Sequence, residues 1–520
     1  MKVSRILLPL FPGLILPIAA DDAAFSAAVG KLMPTPRSAE MKQATPAAAP
    51  TSTVTEQTEE VAPGTTEELT FTEDEAPASD TSPTAHPEEY ARFKELLKQQ
   101  AEKNIYDFCP ALSVMLNATR DEFAVDAWME KAADEGYAAA QQYVADRLLS
   151  NLPADKLQES GPKKAYALVR KAADAGYDPA KINVYMCMRV GIGVKKDEKG
   201  AESYLMEACK SGSPLPRFKW LQLTGRLTDF SDRERPEVKA ELDRNNHHVI
   251  YFLARLAPDD KTALEWFRKA ATAGNPEALY TLSALLSSRN PKQSYELLKA
   301  AIELHHAEAM FTLASMLLEQ PNNDPIMLAT GVRHDDKTGR TIMKTAALNG
   351  SHTACYWLGK ANYEGKCGFS QNREKAFKHF RNGSILGHPA CSLAQGLMLL
   401  RGLGVEKDER QGLYYINSAA NAGIPQAIAA LAYAQYYGYG VSADAAKAAE
   451  LLQEAAALNY PEAYVFLAYL TEQGGANMKA DPKMAARYLR MAEVGLTEEQ
   501  KTACSKMYDS LKQEGWNPHP

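Results

Sequence analysis

Two histidine pairs are the residues whose type and spacing come nearest to a metal site. His247-His248 and His305-His306 each place two imidazoles side by side. A protein zinc site needs three or four ligands drawn from Cys, His, Asp and Glu. No carboxylate-rich or Cys partner stands at ligand spacing from either pair, so we predict no bound metal. The pairs are interpreted instead as exposed histidines at helix starts.

Three aspartates recur at the same position of the repeat, and their carboxylates are candidate catalytic acids. Asp197, Asp408 and Asp444 each follow the valine of a Gly-x-Gly-Val sequence by three residues. Aspartate accepts hydrogen bonds from the free amides of a first helical turn, so this constant place predicts N-caps. The Gly-x-Gly sequence lacks the strand and the third glycine of a nucleotide loop. We therefore predict no cofactor and no enzymatic activity.

The seven cysteines show no C-x-x-C spacing, and their odd count does not suggest a disulfide framework. Free buried thiols are the expectation, although the spacing does not decide whether any of them pair.

Two groups of aromatic residues are the candidate partner-binding side chains. Tyrosine offers a large apolar body with a polar tip, which suits an anchor in a wet interface. Packing between helices is the rival explanation, and the sequence leaves both open. The candidates are Tyr433, Tyr436, Tyr437, Tyr356, Trp357 and Tyr363.

The elements that must position these residues form a repeat. The sequence Ala-Ala-x-x-Gly, or Asn in place of Gly, recurs along the chain, and Gly387, Gly423 and Asn459 are separated by intervals of 36 residues. A fixed period in the range of 20–50 residues marks a repeat architecture. Alanine and leucine lie four residues apart after each break, as in Ala427 and Leu431, which predicts one face of a helix. Each unit is thus expected to contain two antiparallel helices joined by the Gly-x-Gly-Val turn.

The long pattern Ala…Leu-Gly…Gly-x-Gly-Val-x-x-Asp-x-x-Lys-Ala…Ala-Ala-x-x-Gly resembles the Sel-one-like repeat, a relative of the tetratricopeptide repeat. The match is close in residues 177–212 and 388–459, and weaker but recognisable in 275–387 and 460–495. The resemblance implies an all-α, right-handed superhelical solenoid of about ten helix pairs. It also implies a role as an adaptor or scaffold for protein complexes, with the partner on the concave surface.

Two departures from the period mark irregular units. The interval from Gly212 to Gly274 is 62 residues, which predicts a degenerate pair of units around Trp220 and Phe252. About ten extra residues, Gln320 to Leu328, are expected in the loop after a first helix. The solenoid is assigned to residues 87–496, and residues 497–520 are expected to form a capping helix and tail.

The N-terminus reads as an export signal followed by a linker. Lys2 and Arg5 precede an apolar run that ends at Ala19-Ala20, an order typical of a cleaved signal peptide over residues 1–20. A retained anchor is the rival, but the run is short and interrupted by prolines. Residues 21–86 are rich in Ala, Pro, Thr and Glu, which predicts a disordered linker, serving as a spacer, a glycosylated stalk or a plain tether.

The composition narrows the class of function. The chain has 520 residues and a net charge of −7 without a long basic run, which disfavours nucleic acid as a partner. No later segment is apolar enough to span a membrane. The resemblance and the export signal together imply an exported protein–protein scaffold, located in the periplasm or outside the cell in a bacterium, or in the secretory lumen of a eukaryote. The alternative is an envelope glycan or peptidoglycan binder, or a cell-wall hydrolase on the same repeats.

Overall fold

The computed structural model describes residues 80–103, 108–149, 157–319, 324–458, 460, 462–494 and 498–514. Within these ranges the regular elements are helices, and β pairing is limited to one isolated bridge between Gly475 and Met478. The all-α prediction is therefore confirmed. The predicted signal peptide and residues 21–79 of the predicted linker lie outside the described residues. The last part of that linker already packs on the folded chain, because Trp128 Nε1 donates a hydrogen bond to Thr81 O at 2.9 Å.

Three helices open the described chain and surround one buried tryptophan. The ring of Trp128 is fully buried, with its centroid 5.2 Å from that of Phe93 and 5.5 Å from that of Tyr90. A short 3-10 turn, Glu122–Ala124, joins the second helix to the third. The helices are α1 (Pro87–Lys103), α2 (Cys109–Thr119) and α3 (Val125–Asp134).

Ten helix pairs follow in the described part of the chain, each made of a first and a second helix that pack against one another. The first five pairs are α4 (Ala138–Leu149) with α5 (Ser160–Asp174), α6 (Asp178–Val190) with α7 (Glu198–Lys210), α8 (Pro214–Leu223) with α9 (Pro236–Asp243), α10 (His247–Arg255) with α11 (Asp260–Thr272), and α12 (Pro276–Leu286) with α13 (Pro291–Glu303).

The other five pairs complete the solenoid. They are α14 (Ala307–Glu319) with α16 (Asp336–Leu348), α17 (His352–Glu364) with α18 (Arg373–Ile385), α19 (Pro389–Arg401) with α20 (Glu409–Asn421), α21 (Pro425–Tyr437) with α22 (Ala445–Ala457), and α23 (Glu462–Gln473) with α24 (Pro482–Ala492). A short helix α15 (Pro325–Thr330) occupies the predicted insertion, and α25 (Glu498–Glu514) packs against α23 as the terminal helix.

The irregular stretch between Gly212 and Gly274 contains two pairs, α8 with α9 and α10 with α11, as its length predicted. The boundary between these pairs lacks glycine. Asn245 takes its place with a φ of 55°, the left-handed conformation that asparagine tolerates better than most residues.

Caps and turns explain where the helices begin and end. The Asp408 carboxylate accepts a hydrogen bond from Gln411 N at 2.9 Å at the start of α20. Gly402 ends α19 with a φ of 68°. At Gly404 a Cβ atom would lie 2.5 Å from Arg373 O of the preceding pair, so close approach as well as the φ of 69° requires glycine.

The paired alanines at the end of each second helix are not equivalent. Ala419 and Ala455, the first members of their pairs, are fully buried, whereas Ala420 is only half-buried. The first alanine is therefore the position at which neighbouring helices meet most closely.

We expect Ala419→Leu to lower the free energy of unfolding by about 1–3 kcal/mol, because extra methyl groups cannot be accommodated in a close-packed contact. Ala420→Leu on the same turn is the matched control and is expected to cost less. Denaturant titration of the two variants measures the difference, and equal midpoints would show that the two sites are packed alike.

Candidate functional site

Three tyrosines at the C-terminal end of α21 form a cluster with Tyr439 of the following turn. The ring centroid of Tyr437 lies 5.1 Å from that of Tyr433, 4.9 Å from that of Tyr436 and 5.9 Å from that of Tyr439. The helical spacing of three and four residues brings the first three rings to one side of α21. The structure therefore joins the predicted tyrosines into one group.

Two members of the cluster mainly hold the fold together. Tyr433 is 4% exposed, and burial together with the nearby Tyr439 raises the pKa of its phenol. Tyr436 donates a hydrogen bond from its hydroxyl to Gly474 O at 3.1 Å, which ties α21 to the turn of the next pair. Burial raises the pKa of Tyr436 as well. Both phenols stay neutral at physiological pH.

Tyr437 is the member that reaches solvent, with 39% of its surface exposed. Val441, on the turn after α21, is 40% exposed. Lys407, from the turn of the preceding pair, places its ammonium 5.3 Å from the ring centroid of Tyr439. The exposed part of the cluster is thus a small apolar and aromatic surface at the edge formed by successive turns, next to a cation.

The turn beneath this surface is held from the preceding pair. Gly440 N donates a hydrogen bond to Glu409 Oε2 at 2.6 Å. The hydrogen bond from Lys407, and after it the bond from Gly440, lower the pKa of the Glu409 carboxyl. Gly438 and Gly440 have φ values of 76° and 65°. Stacked turns therefore fix the direction in which Tyr437 points. The sequence did not identify Val441 as part of this surface, because valine also stands at the equivalent positions 194 and 405. There the structure leaves the side chain only half-exposed.

The second predicted aromatic group lies within the packing between repeats. The Tyr356 ring centroid is 5.2 Å from the His388 ring and 6.0 Å from the Phe380 ring. The Trp357 ring packs at 6.0 Å on Phe369. Tyr363 is half-buried beside the same core as Tyr356. This group lies on α17, two helix pairs before α21, so the structure places it apart from the α21 tyrosines.

The residues weighed as catalytic or metal-binding have structural partners. Asp197 accepts from Gly200 N at 2.9 Å and Asp444 from Lys447 N at 3.1 Å, which are the predicted N-caps. Among the described residues, no three His, Cys, Asp or Glu side chains lie close enough together to hold a metal ion. Within the same ranges, no helix has the length and hydrophobicity of a membrane span.

The expectation that the histidine pairs are exposed is wrong. His247, His248 and His306 are half-buried, because the first turn of each first helix packs against the preceding helix pair. The His248 ring stacks on Phe218 at 5.6 Å. Burial, with smaller effects from His247 and Lys219, lowers the pKa of His248 to about 3.

Comparison with known proteins agrees with the geometry. The family model described as Sel1 repeat matches nine segments, at residues 127–137, 156–177, 185–213, 251–275, 279–306, 352–388, 390–424, 425–460 and 461–493. A protective antigen of uropathogenic Escherichia coli displaying an SLR fold is 20% identical, with 82% of this chain and 95% of that chain covered at a TM-score of 0.37.

A Sel1 repeat protein from Oxalobacter formigenes is 23% identical, with 57% of this chain and 88% of that chain covered at a TM-score of 0.34. The matched segments from 352 to 493 follow the helix pairs from α17 with α18 to α23 with α24, and three of the nine segments contain the Gly-x-Gly turns. The chain therefore belongs to the Sel1 repeat family, whose fold is a helical scaffold used typically for protein–protein interaction.

Proposed function

We propose that this chain is an exported adaptor that binds a protein partner on the inner face of its solenoid, with Tyr437 as one anchor. The observation that carries the proposal is the partial exposure of Tyr437 in a cluster whose other rings are fixed. A rigid, half-exposed tyrosine loses little side-chain entropy on binding, which is a property of interface hot spots. The first helices line the inner face of a solenoid, and Tyr437 is the last residue of the first helix α21, where that face meets the edge formed by the turns.

Export rests on the order of residues 1–20, in which a basic start precedes an apolar run and two small residues. The destination is the periplasm or the exterior of a bacterial cell, or the secretory lumen of a eukaryotic one. Determination of the N-terminus of the protein recovered from cells tests this part, and an intact Met1–Ala20 segment contradicts it.

Partner binding at Tyr437 is tested by site-specific photocrosslinking. A photoreactive phenylalanine analogue at position 437 is expected to capture a defined protein in the producing cells. The same analogue at position 414 is the matched control, because Tyr414 is a more exposed tyrosine, at 55%, on the second helix α20. Equal capture at both positions, capture at neither, or capture of glycan alone would contradict the proposal.

The captured protein is then purified and titrated with the variants. We expect Tyr437→Ala to weaken its binding at least tenfold with an unchanged melting temperature, as expected for loss of an aromatic anchor. Tyr414→Ala should leave the dissociation constant unchanged. A fall in melting temperature with full binding by the folded fraction would assign Tyr437 to the core.

A further inference from the structure

A buried carboxylate joins the N-terminal helices to two helix pairs far along the chain. Glu122, in the 3-10 turn between α2 and α3, places Oε1 3.3 Å from His379 Nε2 and Oε2 3.6 Å from Lys344 Nζ. Glu122 is 6% exposed and His379 is 2% exposed. Lys344 belongs to α16 and His379 to α18, so the turn bridges consecutive pairs.

Further contacts flank this carboxylate. The Phe123 ring centroid lies 4.8 Å from the His379 ring, and Lys378 Nζ lies 5.3 Å from the centroid of Phe123. Arg147 of α4 donates to Asn382 Oδ1 at 3.4 Å. We call this contact region, formed by Glu122, Phe123 and Arg147 with Lys344, Lys378, His379 and Asn382, the seam.

Helix α16 packs against α2, and it buries a position that is exposed in other repeats. Thr345 on α16 lies five residues before Gly350 and is buried. The residues five before the corresponding Gly or Asn of three other second helices, Lys269, Ser418 and Glu454, are all exposed. This side of a second helix is therefore normally exposed to solvent, whereas at Thr345 of α16 it is buried.

The chemistry of the seam differs from that between neighbouring repeats. Burial opposes ionisation of Glu122, but His379 and Lys344 outweigh it and lower the pKa of the carboxyl to about 2. A buried ion pair adds little net stability, because desolvation offsets the attraction, whereas loss of one partner leaves an uncompensated charge. Contacts between neighbouring repeats use buried alanine and leucine instead, as at Ala419 and Leu452.

We propose that the seam is a latch, held by Glu122 between Lys344 and His379, whose release frees the N-terminal helices from α16 and α18 while both parts stay folded. Most of the apolar core of each part is its own, since Trp128 and Phe93 pack within the N-terminal helices and Phe380 packs within the central pairs. The apolar contacts that also cross beside the seam are those of Cys109 of α2, which packs among residues of α14, α16 and α17, and Leu348 of α16, which packs on the N-terminal cluster. Release uncovers a cationic outer surface on α16 and α18. A partner that takes the place of the N-terminal helices must present a carboxylate beside an aromatic ring, as Glu122 and Phe123 do.

Hydrogen exchange of the full chain tests the latch. We expect Glu122→Gln to speed amide exchange at least tenfold in α2, α3, α16 and α18 together, with α21–α24 unchanged. Lys344→Met alone should have the same effect. The double variant E122Q/K344M should return close to the wild-type rates, because it removes the Glu122 and Lys344 charges together.

Glu135→Gln is the matched control. Glu135 forms an ion pair with Lys94 at 2.8 Å within the N-terminal helices and away from the seam. Its loss should leave exchange in α16 and α18 unchanged. Additive effects of E122Q and K344M, or faster exchange confined to α2 and α3, would overturn the proposal. Exchange that rises along the whole chain in every variant would also overturn it, since the seam would then be part of one cooperative core. None of these outcomes depends on the partner proposed for Tyr437.

Discussion

Acidification from pH 6.5 to pH 4 is expected to lower the free energy of unfolding steeply, because three half-buried histidines resist protonation in the folded chain. Burial lowers the pKa of His306 to about 4, and burial with the neighbouring His352 does the same for His388. Burial lowers the pKa of His248 to about 3. An unfolded histidine titrates near pH 6.5.

The sign of the effect follows from these directions. Above pH 6.5 both states are neutral at these sites, and their contribution to stability is complete. Below it the unfolded chain takes up protons that the folded chain refuses, so stability falls by about 1.4 kcal/mol per pH unit for each such histidine. The loss at His306 and His388 continues until about pH 4. Denaturant titrations at half-unit steps between pH 7.5 and pH 4 measure the slope.

Matched variants come from the chain itself. His306 Nδ1 accepts from Ala309 N at 3.1 Å, and His388 Nδ1 accepts from Cys391 N at 3.3 Å, which requires unprotonated nitrogens. At the same position of another pair, Asn275 accepts from Ala278 N at 2.8 Å. H306N/H388N should therefore keep the caps at pH 7.5 and reduce the slope. An unchanged slope would assign the acid sensitivity to other groups.

The repeat register was readable from the sequence because backbone geometry limits the residues that fit. The glycines of the Gly-x-Gly turns have positive φ, and the aspartates that follow cap the second helices. Both requirements are local, so they recur with the period of the chain. Even the degenerate stretch around Trp220 and Phe252 could be divided into two pairs from its length.

The environment of the histidines could not be predicted from the sequence in the same way. His306 packs its ring 4.8 Å from Tyr280, and His388 packs on Tyr356, in each case on the first helix of the preceding pair. Such a contact depends on the rotation between successive pairs, which hydrophobic spacing within one helix does not contain. The same reason explains why Tyr433 is buried while Tyr437, on the same side of α21, is partly open.

The seam could be predicted from residue spacing even less than the environment of the histidines. Glu122 and His379 meet because small rotations accumulate over the intervening helix pairs and set the curvature of the solenoid. A single glutamate between two helices carries no pattern that marks it as buried. Its partner His379 falls on a second helix, where Tyr415 and Leu451 occupy the corresponding positions eight residues before the closing Gly or Asn. Neither resembles an ion-pair partner.

The ring of Phe380 provides a further large expected effect, because it fills the contact between α17, α18 and α19. It is fully buried and lies over Gly359 of α17, where a Cβ atom would be 2.5 Å from its Cε1. Phe380→Ala should lower the free energy of unfolding by about 3–5 kcal/mol, through lost burial and the cavity left behind. Phe377→Ala, one turn earlier and half-buried, is the matched control and should cost less.

Gly359 provides a second and sharper test of the same contact. Alanine is favoured over glycine in a helix by about 1 kcal/mol, so Gly359→Ala would stabilise an open helix. In the wild-type chain the added methyl group meets the Phe380 ring, and we expect a net loss of stability from overpacking. In the Phe380→Ala background the ring is absent, and the same substitution should become neutral or stabilising. Thermal unfolding of the four proteins in this cycle measures the change of sign, and a penalty for Gly359→Ala that is the same in both backgrounds would show that the ring does not lie over this glycine.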